Sequence, residues 1–448
     1  MAADTTAPQG MQAMRSPGLK FLLIFLLTVV MAIPLFLIQL ALSDREQTAA
    51  GAVTDIAGGW GGSQVIAGPI LLVPYMVDRD STVDGKTVRT EQRFDAVLLA
   101  ENLDMDVQAE SSTRWRGIFE VPVYTSNVAM HATFDKAAMA GIFPSDAKIL
   151  WNEATAAIRV TDAHGLADNV SLMVDGKTIA FEPGVDTEDT HLPGIQAHLN
   201  LSAPTDLTLD TKFTLRGSRE LSLSPLGRRT TAKLRSPWAS PSFFGAFLPT
   251  ERQVTKQGFT ASWTVPYLAR GFGQSFASSG SAMDTLLSAA FGVRFYQPVD
   301  HYQLVQRSLK YAILFVALAF LVFFVMETVS PQRLHAIQYA LVGSAQVLFY
   351  LLLLSLSEHI GFALAYLVGA GATVGLTSLY AMSVLASRMR AAVLLVVLGS
   401  LYGLLYVILN AEDYALLIGS ALLFAALAAT MYVTRRVNWY TLGTSAAA

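Results

Sequence analysis

Hydrophobic and polar positions divide the chain into three stretches. Leu19–Leu42 is almost continuously apolar, broken only by Lys20 near its start. A bilayer core about 30 Å thick is crossed by about 20 apolar residues in a helix, so this run predicts a transmembrane anchor. Pro34 lies inside it, which spanning helices tolerate. From residue 310 the chain is apolar again, with short polar breaks at Glu327–His335, Ser357–Gly361, Ser387–Arg390, Asn410–Asp413 and from Arg435 onward. These breaks predict five further spans, near 310–328, 336–356, 362–386, 391–409 and 414–434. A cleaved signal peptide is the rival reading of the first run, favoured by Ala49, Ala50 and Ala52. Its apolar core normally covers about 7–15 residues, and this run is longer, so an uncleaved anchor is expected.

The middle stretch follows another rule. Residues 43–57 extend the first helix, and Gly58-Gly59-Trp60-Gly61-Gly62 ends it, because clustered glycine is a poor helix former. From Pro69 to about Gln297, VRTEQRFDAVLL, FEVPVYTSNVAMHATF, AAIRV, NVSLMVDGKTIAFE, IQAHLNL, LTLDTKFTLRG and FTASWTVPY show partial alternation or β-branched and aromatic enrichment. That pattern predicts short strands. Val-Asp-Gly-Lys-Thr occurs at 83–87 and again at 174–178. Asp-Gly between strand-like runs favours a two-residue hairpin turn, and shared turn chemistry explains the repeat more simply than duplication. About 230 residues bury a sizeable core, as one sandwich or as two small β-subdomains.

The fold class expected is therefore an integral membrane α + β protein. Six transmembrane helices, one N-terminal anchor and five C-terminal, flank a large β-rich periplasmic domain. The expected division is a cytoplasmic N-terminus at 1–18, the anchor at 19–42, the β-rich domain at 43–308, the five-helix bundle at 309–434 and a cytoplasmic tail at 435–448.

Charge sets the orientation. Of the 448 residues 15% are charged and 53% hydrophobic, where soluble domains carry roughly 25% charged residues. Residues 44–310 hold 24 of the 31 Lys and Arg and 29 of the 34 Asp and Glu. Outside that stretch the basic residues are Arg15, Lys20, Arg333, Arg388, Arg390, Arg435 and Arg436. With the N-terminus in the cytoplasm all seven fall inside, as the positive-inside rule for short loops requires. The short outer loops hold Glu358, Glu412 and Asp413 and no Lys or Arg. The long insert then lies outside, because one span precedes it. A net charge of -3 gives no basic excess for nucleic acid. With no cysteine, a disulfide scaffold, a thiolate metal site and a cysteine nucleophile are excluded.

Candidate chemistry is sparse. His131, His164, His191, His198, His301, His335 and His359 form no HExxH, and no GxSxG elbow or P-loop occurs. Gly271-Phe272-Gly273 is a lone GxG. Glu182, Asp186, Glu188 and Asp189 cluster between prolines without the spacing of a calcium loop, which reads as a solvated loop. Arg216, Arg219, Arg228, Arg229, Lys233 and Arg235 place six bases within twenty positions. They suit either a charged hairpin face or an anionic envelope partner. In the bundle, Glu327, Arg333 and His335 lie at one predicted membrane surface and Glu358-His359 at the other, where charge costs little; a structural or topological role is expected for them. No acidic relay is evident at its centre, although Gln346 and Ser344 are polar. Gly371-xxx-Gly375 and Gly399-xxx-Gly403 lie on consecutive spans, where small residues four apart let helix backbones approach closely. Packing within the bundle is expected of them rather than dimerisation. No catalytic residue, metal or cofactor is expected.

One segment is specific. Within residues 302–366, Lys310-Tyr311-Ala312-Ile313-Leu314, Phe323-Phe324 with Glu327, Arg333-Leu334-His335, Gln338-Tyr339, Phe349-Tyr350-Leu351-Leu352-Leu353-Leu354 and Leu356-Ser357-Glu358-His359 resemble the CreD family of inner membrane proteins of Gram-negative bacteria. Gly68-Pro69 with Pro74, the segment Pro241–Pro249 and the closing Asn438-Trp439-Tyr440 fit less closely, with Phe244 and Ala246 as departures. The resemblance implies an inner-membrane protein of envelope integrity, linked to a two-component regulon, colicin tolerance and β-lactam stress. It carries over no catalytic residue and no cofactor. The function expected is non-enzymatic support of the envelope through contacts of the outer domain with a periplasmic or envelope partner. A transporter or flippase-like bundle is the alternative, and a periplasmic enzyme a third reading.

Overall fold

The computed structural model describes residues 17–83, 86–140, 142–167, 170–187, 191–278, 280–295, 301–328, 332–411 and 414–435. These form two compact units, Met1–Thr48 with Val299–Ala448, and Ala49–Pro298. Eight α-helices follow one another among the described residues: α1 (Pro17–Trp60), α2 (Lys136–Ala140), α3 (Gly280–Ser288), α4 (His301–Thr328), α5 (Ala336–Ile360), α6 (Phe362–Val384), α7 (Arg388–Asn410) and α8 (Ala415–Thr434).

Helices α1 and α4 to α8 are long and apolar enough to cross a membrane. The number of spans is the one predicted, one before the β-rich stretch and five after it. The boundaries differ at α4, which begins at His301, nine residues before the apolar run at 310. Hydropathy marks where hydrocarbon begins; the helical ladder continues through the polar turns outside it. Likewise α1 keeps Gly58 and Gly59 helical and stops after Trp60. Gly61 makes the stop, with φ +118 and a backbone so close to Arg216 that a Cβ would lie 2.7 Å from its carbonyl oxygen. The interior of the membrane unit is built from Phe320, Phe349, Tyr350, Leu353, Leu394 and Leu405 with Met31, Leu35 and Leu42 of α1. Helix α8 has no buried residue within its unit.

The other unit contains β1 (Gln64–Val83), β2 (Lys86–Leu98), β3 (Asn102–Arg116), β4 (Phe119–Phe134), β5 (Lys148–Ile149), β6 (Thr155–Val160), β7 (Ser171–Val174), β8 (Lys177–Ile179) and β9 (Glu182–Asp186). It continues with β10 (His191–His198), β11 (Leu207–Ser218), β12 (Glu220–Leu223), β13 (Arg229–Ser236), β14 (Pro241–Gly245), β15 (Glu251–Thr255), β16 (Gly258–Pro266), β17 (Ser275–Ala277) and β18 (Phe291–Phe295). One sheet runs β14-β18-β12-β1-β6-β10-β9, with β2 and β5 also on β1 and β17 on β2; the other runs β15-β16-β13-β3-β4-β11-β7-β8. Pairing is antiparallel except for β1 with β12 and β13 with β3. Inward residues of both sheets, among them Ile70, Leu71, Val97, Leu103, Val107, Leu234 and Trp263, join one core. Of the two arrangements open from the sequence, layered sheets around a single core is the one adopted.

The second Val-Asp-Gly-Lys-Thr forms the expected turn. Val174 pairs with Lys177 across Asp175 at φ 47 and Gly176 at φ 83, the positive pair that a tight hairpin matched to strand twist requires. At the first copy Val83 pairs with Lys86, and residues 84 and 85 lie outside the described residues. The segment Pro241–Pro249 serves packing: the Phe243 ring meets Phe259 and Trp263 edge-on at 5.5 and 6.0 Å, and Trp263 Nε1 donates to the Phe247 carbonyl at 3.2 Å.

Candidate functional site

The family-like residues divide into two polar clusters, one at each end of the apolar run of α1, and both clusters join α1 to the bundle. Lys20 and Arg45 are 25 residues apart on one continuous helix, a rise of about 37 Å, against about 30 Å of hydrocarbon. The two charges thus bracket a bilayer core.

At the Lys20 end, Glu327 closes α4 and is 7% exposed. Its Oε1 receives Lys20 Nζ and, at 3.1 Å, the backbone N–H of Leu334; its Oε2 accepts from the Tyr339 hydroxyl at 2.8 Å. Lys20 also reaches the Leu334 carbonyl at 3.4 Å. Phe320 and Phe323 stand edge-on to the Tyr339 ring at 6.0 and 6.5 Å and keep water from the carboxylate. The sequence reading placed Glu327 at the surface, where charge costs little. The structure adds that the Glu327 side chain is buried there against protein and that Lys20, twenty residues into the chain, supplies its counter-charge. A pair 307 positions apart leaves no local signal; the one available was Lys20 itself, the single charge inside the anchor run.

The neighbours of Glu327 take a different task. His335 is the N-cap of α5: its Nδ1 accepts from the Ile337 N–H at 3.3 Å, and Gln338 Oε1 accepts from the His335 N–H at 2.8 Å. This reciprocal cap satisfies two otherwise orphaned donors. Arg333 is exposed.

At the Arg45 end, the Glu358 side chain is 7% exposed, Arg45 Nε lies 3.7 Å from Glu358 Oε1, and the Tyr302 hydroxyl donates to the same oxygen at 3.0 Å. Arg45 remains half exposed, at 51%. Ser357 is buried and donates to the Leu354 carbonyl at 2.9 Å; His359 is exposed, its Nδ1 3.1 Å from the Ser355 carbonyl. Tyr302 and Arg45 were not singled out in the sequence, because a tyrosine and an arginine just outside apolar runs look like ordinary interfacial residues.

The glycine pairs are corrected as well. A Cβ built at Gly371, Gly375, Gly399 or Gly403 meets no atom within 4 Å, so these residues do not bring backbones together. Gly371, Gly399 and Gly403 instead line an open groove of about 590 Å³ between α6 and α7. Close approach occurs at Gly343, where a Cβ would lie 2.6 Å from the Phe320 ring and 3.1 Å from Met31 of α1. Deeper in the bundle Tyr402 donates to Gln346 Oε1 at 2.5 Å, Tyr366 donates to the Tyr402 carbonyl at 2.6 Å, and the Phe349 ring packs edge-on to Tyr350, Tyr366 and Tyr402.

In the β-rich unit the histidines and acids that stood out in the sequence pair off at the surface. His131 lies 2.7 Å from Asp210, His164 2.9 Å from Asp162, His191 2.5 Å from Asp186 and His198 3.6 Å from Glu182. The hydrogen bond from His191 holds the Asp186 carboxyl below its ordinary value despite slight burial. Burial pushes Asp162 up, but the Gly62 N–H and both His164 donors outweigh it and hold the group low. Glu188 and Asp189 lie outside the described residues. Among the described residues no three His, Asp or Glu converge as metal ligands. The basic cluster is dispersed: Arg216 lies over the Trp60 ring, Arg228 pairs with Glu101, and Arg235 grips both oxygens of Asp106. Beside the lone GxG, Arg270 is 4% exposed between the Tyr267 and Phe272 rings, and burial pushes it down to about 10, still charged at neutral pH.

A family model described as Inner membrane protein CreD matches residues 16–440. The Inner membrane protein CreD of Escherichia coli (strain K12) is 33% identical over 425 residues, 94% of this chain and 93% of that protein.

Proposed function

We propose that this chain, which belongs to the CreD family of inner membrane proteins, supports the integrity of the cell envelope as a membrane-fixed binding protein and catalyses no reaction. The N- and C-termini lie in the cytoplasm and the β-rich unit lies in the periplasm, where it meets a protein or an anionic component of the envelope. One observation carries this reading: the polar clusters at Lys20 and Glu358 are spent on fastening α1 to the bundle. A helix fastened at both ends of its apolar run suits a fixed platform that presents a large outer domain. Of the surface His–carboxylate pairs of that domain, Asp186–His191 and Glu182–His198 share β9 and β10, while His131–Asp210 joins β4 to β11 and His164–Asp162 lies in a loop; no three of these groups converge among the described residues.

The test is a deletion strain challenged with detergents and β-lactams. Tolerance is expected to change while growth in unstressed medium does not, and complementation is expected to need both units. A deletion strain that matches its parent under every envelope stress would sink the proposal. Reporter fusions at Asp84 and Glu412 are expected to read periplasm, and fusions at Arg333, Arg388 and Ala448 cytoplasm; a cytoplasmic signal at Asp84 would reverse the orientation.

A transporter or flippase-like activity is the second reading. It is favoured by Gln346 Nε2, Thr377 Oγ1 and Ser378 Oγ, buried donors with no hydrogen-bond partner among the described residues. Gln346 and Thr377 lie 15 and 16 residues from Gly361, where α5 turns into α6, so they share one depth in the bundle. Loss of uptake or efflux of one solute in the deletion strain would select this reading over the first.

A further inference from the structure

We propose that Lys310 on α4, together with Arg307 three residues earlier, holds the phosphate of an anionic phospholipid. Along α4 only Gln303, Lys310 and Ile313 are exposed; from Leu314 to Thr328 every residue is buried or half-buried. The helix thus surfaces through one window near its start, and Lys310 is the charge in that window. Among the described residues Lys310 has neither a hydrogen-bond nor an ion-pair partner. Glu358, the buried carboxylate at this end of the bundle, is already engaged by Tyr302 and Arg45.

Depth gives this lysine its meaning. Hydrocarbon about 30 Å thick corresponds to about 20 helical residues. Counted along α4 from Glu327, where Lys20 joins the bundle, that thickness ends at Arg307. Lys310 sits three residues inside it, about 4.5 Å. An ammonium surrounded by hydrocarbon is costly, so its flexible four-carbon stem carries the charge outward to the interface. In an inner membrane protein the anion that the medium itself supplies at that level is the lipid phosphate. Arg307 lies on the same helix face, and its Nη2 is 3.5 Å from the Ile408 carbonyl, two residues before α7 ends. Two positive charges therefore stand beside the last turn of α7, at headgroup level. One turn below the lysine, Ile313 is 40% exposed and offers the acyl chain an apolar wall. The window thus presents charge to the headgroup and an aliphatic side chain to the tail.

The experiment follows the melting of the full chain in a neutral detergent as phosphatidylglycerol is added. The melting temperature is expected to rise to a plateau. Lys310→Gln is expected to melt like the parent without lipid and to need about five times more phosphatidylglycerol for half of the rise, the factor that one base near an anionic surface contributes. Lys310→Arg is expected to keep the parent's response, because it keeps the charge. Arg252→Gln, which removes an exposed base of β15, is expected to change nothing. An unchanged response in Lys310→Gln would overturn the proposal. So would the same rise with inorganic phosphate, which would make the site one for free anions, or with phosphatidylcholine, which would make the rise a general effect of lipid on the bundle. Glu412 and Asp413 follow α7 in the sequence and are the competing anions of the chain itself. The double variant Glu412→Gln with Asp413→Asn is expected to leave the lipid response intact; a loss equal to that of Lys310→Gln would give Lys310 a protein partner in place of a lipid and overturn the proposal. A lipid-free melt of Lys310→Gln well below that of the parent would overturn it in the same way.

Discussion

The two ends of the apolar run of α1 carry the same kind of contact with different strength. At the Lys20 end Glu327 is held by an ammonium, a backbone N–H and a tyrosine hydroxyl. At the Arg45 end Glu358 has one hydroxyl at 3.0 Å and a half-exposed guanidinium at 3.7 Å. A buried pair is costly to break from one side, because the remaining charge is left without a partner, whereas an exposed pair contributes little. The Lys20 contact therefore fixes the helix, and the Arg45 contact holds it more loosely.

The largest effect is expected from Lys20→Ala. It strands the Glu327 carboxylate and is expected to cost about 3–5 kcal/mol, read as a fall in the melting temperature of the detergent-purified protein. A melt unchanged from the parent would remove the distinction between the ends. Next comes Tyr339→Phe, which deletes one donor to a charged acceptor and is expected to cost about 1–3 kcal/mol; a loss equal to that of Lys20→Ala would mean that the hydroxyl and not the ammonium holds the carboxylate. Arg45→Ala is expected to cost less than Lys20→Ala, because Arg45 is half exposed and 3.7 Å from its carboxylate, and raised salt is expected to shrink the loss. A salt-insensitive loss would show that the Arg45 contact is as tight as the Lys20 contact.

The exposed pair Asp186–His191 in the β-rich unit is the weak limit of the series. Its carboxyl is held low in the folded state, so the stabilisation is present above the ordinary carboxylate value and is lost as pH falls through the lower folded value. Asp186→Asn is expected to flatten that part of the acid-melting profile and to leave neutral stability nearly unchanged; an identical acid profile in both proteins would contradict it.

The sequence made the periodic features legible. Six apolar runs became six helices, and FEVPVYTSNVAMHATF became β4 across its full length. Strand β3 was overlooked even though Leu103, Met105, Val107 and Ala109 alternate inward, because Asp104, Asp106 and Glu110 between them made the segment look polar rather than strand-like. Strand β13 was read as a basic cluster for the same reason: its Arg and Lys occupy the outward face of an otherwise regular strand. At the site, Glu327, Tyr339 and Glu358 were found through family-like segments, but not their partners. Lys20 and Arg45 lie about 300 residues from those segments, and periodicity carries no information about contacts at that separation. The glycine pairs failed for a related reason: spacing shows that two helices are able to approach at a site, and only side-chain packing elsewhere, here the Phe349 cluster and Gly343, decides where they do.

The account turns on unequal fastening of the anchor helix, and a paired melt of Glu327→Gln and Glu358→Gln tests it most directly. Each change removes one charge and keeps the shape of the side chain. In the same detergent and salt, Glu327→Gln is expected to lower the melting temperature further than Glu358→Gln. Both carboxylates are 7% exposed, but Glu327 has an ammonium, a backbone N–H and a hydroxyl on it, where Glu358 has one hydroxyl and a half-exposed guanidinium at 3.7 Å. Equal shifts, or a larger shift for Glu358→Gln, would contradict the account.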